Sequence, residues 1–228
     1  SAMDSEHRRL VERLQDKKMS GDGNLHYVEG LLGGNRVILT QCGIGKVNAA
    51  VGATELIRRF APDCVISTGV AGGIDTCLRV TDVVVSERLV YHDVWCGNEY
   101  EYGQMAEMPA VYEGCVSLLE HALSLNGTGL ESYIHSGLIC TGDQFITNRT
   151  ELDAIKQRFP DGLAVDMESV AIAQTCYLYN TPFLSFRIIS DTPWVDDHAS
   201  QYADFWGTMA ERSFLTIWTF LSTLPSNL

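Results

Sequence analysis

The chain has 228 residues, of which 46% are apolar, which is enough for one large core, so we expect a single domain over residues 1–228. A formal net charge of −13 disfavours nucleic acid and anionic membrane surfaces as partners and favours a small-molecule substrate. No run approaches the roughly 18 apolar residues of a membrane helix. Residues 1–6 lack the basic and apolar regions of a signal peptide, so we expect a cytoplasmic protein.

In the first half of the chain, strand and helix signals alternate. Two β-prone runs at residues 27–32 and 36–41 flank the turn-forming triplet Gly33-Gly34-Asn35, which predicts a hairpin. The apolar spacing of residues 46–60 predicts a helix that Ala61-Pro62 closes. An apolar run at residues 64–67 then predicts a short buried strand, followed directly by a glycine-rich loop.

The same alternation continues to the end of the chain. Further strands are predicted at 83–85, 134–140, 163–165 and 183–189, and further helices at 113–125, 149–159, 169–179 and 204–224. The almost wholly apolar run 183–189 is typical of a strand covered on both faces. The pattern predicts an α/β protein, a three-layer α/β/α sandwich with a central mixed sheet that is mostly parallel.

Seven cysteines are scattered through the sequence without a Cys-x-x-Cys pair. The odd number and the spacing predict reduced thiols, with neither a disulfide framework nor a zinc site. We therefore expect no metal and no other cofactor. The cysteines are at positions 42, 64, 77, 96, 115, 140 and 176.

Carboxylates and an aromatic residue follow the predicted strands, and ligands in such sheets bind beyond the carboxyl ends of strands. The segments concerned are 68–73, 144–146, 166–169 and 190–192. Cleavage of a glycosidic bond passes through an oxocarbenium-like sugar and needs a carboxylate beside it, an acid for the leaving group and a base for water. Asp166, Glu168 and Asp191 are candidates for such groups.

Taken singly, each of these residues also has a purely structural interpretation. Asp191 would serve as an N-cap for the following segment, and Glu168 would complement a helix dipole. Met167 alone would be core filler, and the glycine-rich loops are often just tight turns. The functional interpretation therefore depends on the combination.

A more specific pattern runs in order through residues 2–191. It consists of Ala2-Met3-Asp4-Ser5-Glu6 and the segments 43–50, 67–73, 91–93, 99–104, 136–146, 165–173 and 187–191. Together these segments resemble the 5′-methylthioadenosine/S-adenosylhomocysteine nucleosidases of the purine nucleoside phosphorylase superfamily. The resemblance implies a nucleoside phosphorylase-like fold, a nucleoside substrate whose N-glycosidic bond is hydrolysed, no cofactor, and a homodimer.

The resemblance also implies roles for individual residues. Asp191 would protonate nitrogen 7 of adenine, Glu6 would activate the attacking water, and Glu168 would bind the ribose hydroxyls and offset the developing charge. Substrate-binding residues would be Met167 against the sugar, Phe145 stacked on adenine, Ile146 reading its edge, Ser190 holding Asp191, Ile44 and Met3 on the ribose and thioether side, and Ala71, Gly72 and Arg187. Tyr100 belongs to a segment that would complete the pocket of the neighbouring subunit.

Three departures from the family pattern are visible. Relatives have a β-strand before the Ala-Met motif, where only Ser1 stands here, so we expect either a truncated sequence or a cloning remnant at Ser1-Ala2. Val70 occupies a position where many relatives have serine. Residues 192–203 align poorly, which leaves Tyr202 as a candidate aromatic wall and assigns Pro193-Trp194 to a mobile region.

Several alternatives remain open on the sequence alone. A nucleoside phosphorylase would need cationic donors for phosphate, and the stretch after the early glycine loop offers only Lys46 before Arg58. A futalosine-type or AMP-directed nucleosidase, or a non-catalytic nucleoside-binding relative, would share the fold. A Rossmann dinucleotide-binding protein is disfavoured, because neither glycine loop has the Gly-x-Gly-x-x-Gly spacing.

Overall fold

The structure is a computed structural model that describes residues 1–22, 24–193 and 198–225. Its helices are α1 Asp4–Val11, α2 Lys46–Phe60, α3 Val116–Ser124, α4 Arg149–Arg158, α5 Ser169–Leu178, α6 His198–Asp204 and α7 Ala210–Ser222. Its strands are β1 Gln15–Asp22, β2 Leu25–Leu32, β3 Asn35–Thr40, β4 Val65–Gly73, β5 Val83–Tyr91, β6 Tyr112–Glu113, β7 Ile134–Thr141, β8 Gly162–Asp166 and β9 Phe183–Asp191. Trp194, which we assigned to a mobile region, lies outside the described residues.

The predicted hairpin is confirmed. Strands β2 and β3 pair antiparallel, with Leu32 opposite Asn35 across a turn of two glycines. Gly33 and Gly34 have φ angles of 59° and 88°, a left-handed conformation that glycine adopts without steric cost. Strand β1 adds a third strand to this small sheet.

The larger sheet is mixed, as predicted, with strand order β6-β5-β7-β8-β4-β9. Strand β5 also pairs antiparallel with β9, so that Val83 faces Ile188 and the sheet closes on itself. Strands β5, β7 and β8 are parallel to one another, as are β4 and β9. Where the two sets meet, Gly72 of β4 lies between Val165 of β8 and Asp191 of β9. The carboxyl ends of β4, β8 and β9 therefore converge at one place.

Helices cover both faces of this sheet, which confirms the predicted three layers. Residues of α2 and α5 pack on one face, with Ala53 and Ile172 in the same buried cluster as Val84 of β5. Residues of α1, α3 and α7 pack on the other, where Phe214 joins Val83 and Val85. Alternate residues of β5 thus point to opposite layers, as the period of a strand requires.

The ends of the polypeptide differ from the expected pattern. The helix predicted at 204–224 is α7, preceded by the π-helical turn Phe205–Met209 and by α6. Helix α1 was not predicted, and it carries the buried Glu6.

The seven cysteines carry free thiols. Among the described residues no helix is long and apolar enough to cross a membrane.

Candidate active site

A cavity of about 320 Å³ lies where β4, β8 and β9 converge. Its walls come from these strand ends and from α1, α6, the turn before α2 and the loop after β7. The lining residues are Ala2, Met3, Glu6, Ile44, Val70, Ala71, Gly72, Gln144, Phe145, Ile146, Val165, Asp166, Met167, Glu168, Ser190, Asp191 and Tyr202. The cavity contains every site residue predicted from the sequence except Arg187 and Tyr100.

Glu6 lines this cavity and is buried, with only 1% of its surface exposed. Its Oε2 accepts hydrogen bonds from the backbone N–H groups of Ala2 and Met3, at 3.0 and 3.1 Å. Its Oε1 accepts one from Val70 N at 3.1 Å. A carboxylate has about four acceptor positions, so Glu6 can bind a further donor such as water.

Glu168 also lines the cavity and is held by the turn before α2. Gly45 N donates a hydrogen bond to Glu168 Oε1 at 3.0 Å, and Arg187 Nη2 lies 3.8 Å from Oε2. Burial raises the pKa of Glu168 to about 6 and is the largest effect. The neighbouring carboxylates Asp166 and Glu6 act in the same direction, whereas the Arg187 guanidinium and the Gly45 amide oppose it.

Arg187 lies beneath the cavity instead of lining it. Its side chain is buried, its Nε lies 2.9 Å from Asp166 Oδ2, and its Nη2 donates to Ser67 Oγ at 2.9 Å. Burial alone lowers the pKa of a guanidinium, but Asp166, Glu168 and Glu6 outweigh it, so the pKa of Arg187 is raised. Arg187 is therefore a fixed cation that supports the carboxylates around it.

Asp191 ends β9 beside Gly72. Ser190 Oγ lies 2.7 Å from Asp191 Oδ1 and 3.3 Å from the carbonyl oxygen of Ala71, both within hydrogen-bonding distance. A side chain at position 72 would begin only 3.2 Å from Asp191 Oδ2. The glycine thus keeps this face of the carboxyl group open towards the cavity.

Glu168 lies directly before α5, where its charge can also complement the helix dipole, as in its structural interpretation. Glu168 precedes α5, but its side chain does not cap that helix. The N–H of Ser169, the first residue of α5, donates instead to Asp166 Oδ1 at 3.2 Å. Glu168 and Asp191 both face the cavity.

Aromatic side chains form the outer wall of the cavity. Phe145 is 56% exposed, and its ring meets that of Tyr202 edge to face at 5.5 Å. The Tyr202 hydroxyl lies 3.5 Å from the sulfur of Met3. Tyr202, only a weak candidate in the sequence, is therefore part of the site.

Sequence reasoning missed several lining residues. Ala2, Gln144 and Val165 line the cavity, but their residue types gave no specific signal for a binding role. Val70 was noted only as a departure, yet its amide binds Glu6. Tyr100 lies in the segment after β5, bonded through its N–H to Gly97 O at 3.2 Å, and does not line the cavity of its own chain.

Cationic side chains are missing from the cavity wall. Of the described residues that line it, four are carboxylates, Glu6, Asp166, Glu168 and Asp191, and none is lysine or arginine. Nor do the described residues contain a group of three or more histidine, cysteine or acidic side chains arranged to hold a metal ion. A neutral or cationic ligand suits this electrostatic environment better than an anion.

Comparison with known proteins shows the family of this chain. The chain belongs to the phosphorylase superfamily, whose family model matches residues 1–222. Within it, the chain belongs to the family of 5′-methylthioadenosine/S-adenosylhomocysteine nucleosidases. It is 44% identical over 192 residues to the nucleosidase of that name from Chromohalobacter salexigens, covering 83% of this chain and 81% of the relative.

Solved structures of the same family share the fold. The nucleosidase from Neisseria meningitidis, in complex with methylthio-immucillin-A, superposes with a TM-score of 0.90 at 36% identity, covering 98% of this chain and 96% of that one. The nucleosidase from Colwellia psychrerythraea, in complex with adenine, gives a TM-score of 0.89 at 36% identity, covering 96% and 91%. The family and the mixed α/β fold that the sequence resemblance implied are thus confirmed.

Proposed function

We propose that this protein hydrolyses the N-glycosidic bond of 5′-methylthioadenosine and S-adenosylhomocysteine, releasing adenine and the 5-thio-substituted ribose. The observation that carries the proposal is the convergence of Glu6, Glu168 and Asp191 on one cavity of about 320 Å³. Ligand pockets commonly measure roughly 300–1,000 Å³, so a nucleoside fits the space. The names and bound ligands of the relatives support the same substrate class.

We assign to Asp191 the role of the acid that protonates adenine as it leaves. Adenine is a poor leaving group as an anion, and a proton delivered to nitrogen 7 makes it leave as a neutral base. Ser190 Oγ lies 2.7 Å from one oxygen of the Asp191 carboxyl group, which orients the other oxygen beside Gly72. Phe145 packs on the adenine ring, and the backbone of Ile146 binds its edge.

We assign to Glu168 the binding and stabilisation of the sugar, and to Glu6 the activation of the attacking water. Glu168 in its charged form binds the ribose hydroxyls and offsets the positive charge that develops on the sugar. Glu6 is placed by three backbone amides and takes a proton from water as it attacks the anomeric carbon. Met167 packs against the ribose, and Met3 and Ile44 contact the thioether side.

Phosphorolysis is disfavoured by the same geometry. Helix N-termini bind phosphate through free amides, but Gly45 N and Lys46 N at the start of α2 already donate to Glu168 and Asp143. The ammonium of Lys46 is paired with Asp93 at 2.8 Å. The described residues that line the cavity offer four carboxylates and no cation to a phosphate dianion.

Release of adenine tests the proposal directly. The protein is incubated separately with methylthioadenosine, S-adenosylhomocysteine and futalosine in a buffer with a metal chelator, and the released base is quantified by chromatography. We expect turnover of methylthioadenosine and S-adenosylhomocysteine without added metal. Tight binding without turnover would indicate a nucleoside-binding protein, and turnover of futalosine alone would reassign the substrate.

We also propose a homodimer, supported by exposed apolar residues beside the cavity. Val47 and Val51 on α2 are 74% and 51% exposed, and Trp95 and Met105 after β5 are 55% and 38% exposed. The Lys46–Asp93 ion pair joins these two segments. In the dimer, Tyr100 would contact the thioether side of the partner's cavity. The free thiols agree with a reducing cytoplasm.

Light scattering tests the dimer with a matched control. We expect the protein to be dimeric, and Val47→Glu to shift it towards monomer with a loss of activity, because a charge would be buried in the interface. Met19→Glu places the same charge at a site on β1 that is 77% exposed and should leave the dimer intact. A fully active monomer of the unmodified protein would contradict the proposal.

The raised pKa of Glu168 predicts a pH limit on turnover. Below about pH 6 the protonated form of Glu168 predominates and no longer offsets the positive charge on the sugar. We therefore expect kcat/KM, which reports ionisations of the free enzyme, to fall as the pH drops through this value. The control is Glu168→Gln, whose residual kcat/KM should not fall over this pH range. A kcat/KM that stays constant through this pH range in the unmodified protein would show that turnover does not depend on the charge of Glu168.

A further inference from the structure

A charged cluster lies beside the cavity without lining it. It consists of Lys46 at the start of α2, Asp93 after β5 and Asp143 after β7, and we call it the lysine clamp. Lys46 Nζ donates to both oxygens of Asp93, at 2.9 and 2.8 Å. Lys46 N donates to Asp143 Oδ1 at 2.8 Å, and Asp143 N to Asp93 Oδ2 at 2.9 Å. Each member is thus bound to the other two.

The lysine clamp connects two segments that the proposed reaction needs. On one side Lys46 follows Gly45, whose amide binds Glu168. On the other, Asp143 precedes Gln144–Ile146, which carries Phe145 to the adenine side of the cavity. The packing at this junction is close, since a side chain at Gly142 would begin 3.0 Å from Asp93 Cγ.

The position of Lys46 is unfavourable for helix α2 considered alone. A cation in the first turn of a helix is repelled by the positive end of the helix dipole, and α2 has no acidic residue there. Asp93 and Asp143 supply the missing negative charge from other elements. A local conflict that only tertiary contacts resolve is typical of functional sites.

We propose that Asp93 is a positioning residue. It accepts hydrogen bonds from the Lys46 ammonium and from the amide of Asp143. These bonds hold the Gly45 amide in place to donate to Glu168, and they hold the loop that carries Phe145 in place against the adenine. The inference rests on the proposed function of this cavity. Asp93 does not touch the substrate. It acts through the geometry of Glu168, which works mainly in the transition state, and of the loop that binds the base.

The test compares the lysine clamp with a matched ion pair elsewhere in the chain. Lys156 binds Asp75 at 2.5 Å, with side chains 26% and 27% exposed, against 23% and 18% for Lys46 and Asp93. The variants are Asp93→Asn, Lys46→Met and their double, with Asp75→Asn and Lys156→Met as controls. For each, kcat and KM for methylthioadenosine, affinity for adenine and thermal stability are measured.

We expect Asp93→Asn to lower kcat by up to about 10²-fold, the scale on which remote misplacement of catalytic groups acts. Adenine affinity should fall by a smaller factor. Lys46→Met should have a similar effect, and the double variant should be no worse than either single variant, because the three groups act as a unit. Lys46→Arg, which keeps the charge, should recover part of the lost kcat. The Asp75 and Lys156 variants should keep the kcat of the unmodified protein.

Unchanged kcat and adenine affinity in a folded Asp93→Asn protein would overturn the inference, as would an equal loss of kcat in the control pair. If Asp93→Asn fails to fold, the kcat and the adenine affinity of Lys46→Met test the inference in the same way. If the unmodified protein binds adenine but releases none from methylthioadenosine, the proposed function fails. Adenine affinity then decides the positioning role, and an unchanged value in the variants overturns it.

Discussion

Asp191→Asn should reduce the turnover of methylthioadenosine by about 10²–10⁴-fold, the usual range for loss of a general acid. The amide cannot donate the proton that lets adenine leave as a neutral base. The substitution is nearly isosteric, and Ser190 Oγ can still donate to the remaining carbonyl oxygen, so the local structure should persist. Initial rates of adenine release measure the effect.

A substrate with a better leaving group provides the control for this experiment. A 5-thioribosyl substrate that releases nitrophenolate needs no protonation, so Asp191→Asn should slow its cleavage far less, provided that the unmodified protein accepts it. Damage to the fold would depress both rates alike. Equal proportional losses on the two substrates would remove Asp191 from the role of acid.

Glu168→Gln should lower kcat by about 10²–10³-fold, a loss comparable to that of one preorganised group facing transition-state charge. The neutral amide can still bind a ribose hydroxyl, but it cannot offset the positive charge on the sugar. KM should change much less than kcat, because the electrostatic interaction grows as the bond breaks. Steady-state kinetics on methylthioadenosine separate the two parameters.

The fold should survive this substitution, since Arg187 keeps its ion pair with Asp166 at 2.9 Å. Thermal unfolding of the variant tests this, and near-unchanged stability would show that the kinetic loss is local. A Glu168→Gln enzyme with normal kcat would leave Glu168 only a structural role, as the partner of Gly45 N.

The sequence predicts the fold where local signals are strong. The glycine turn at Gly33-Gly34 and the apolar run of β9 specify their elements unambiguously. Strand β1 cannot be predicted from the sequence, because its residues, QDKKMSGD, do not alternate between apolar and polar. Helix α1 is short and largely polar, and only two of its residues, Glu6 and Leu10, are buried, so its sequence gives a weak helix signal. Closure of the sheet through Val83 and Ile188 depends on residues far apart in the chain.

The candidate site follows a similar division. Strand ends and carboxylates are readable from the sequence, so the sequence alone predicts that Glu168 and Asp191 belong to the site that the cavity forms. The position of Arg187 beside the cavity is not readable from the sequence, because β9 is buried on both faces and its sequence does not show which layer each side chain contacts. Nor is the pairing of Lys46 with Asp93, which joins the start of a helix to the end of a distant strand.

Whether adenine release depends on phosphate decides whether water is the nucleophile in this cavity. The rate of adenine release from methylthioadenosine is measured in phosphate-free buffer and again with phosphate added, and the sugar product is identified by mass spectrometry. We expect the full rate without phosphate and a free 5-methylthioribose product in both cases. A rate that requires phosphate, with a sugar 1-phosphate as product, would contradict this expectation.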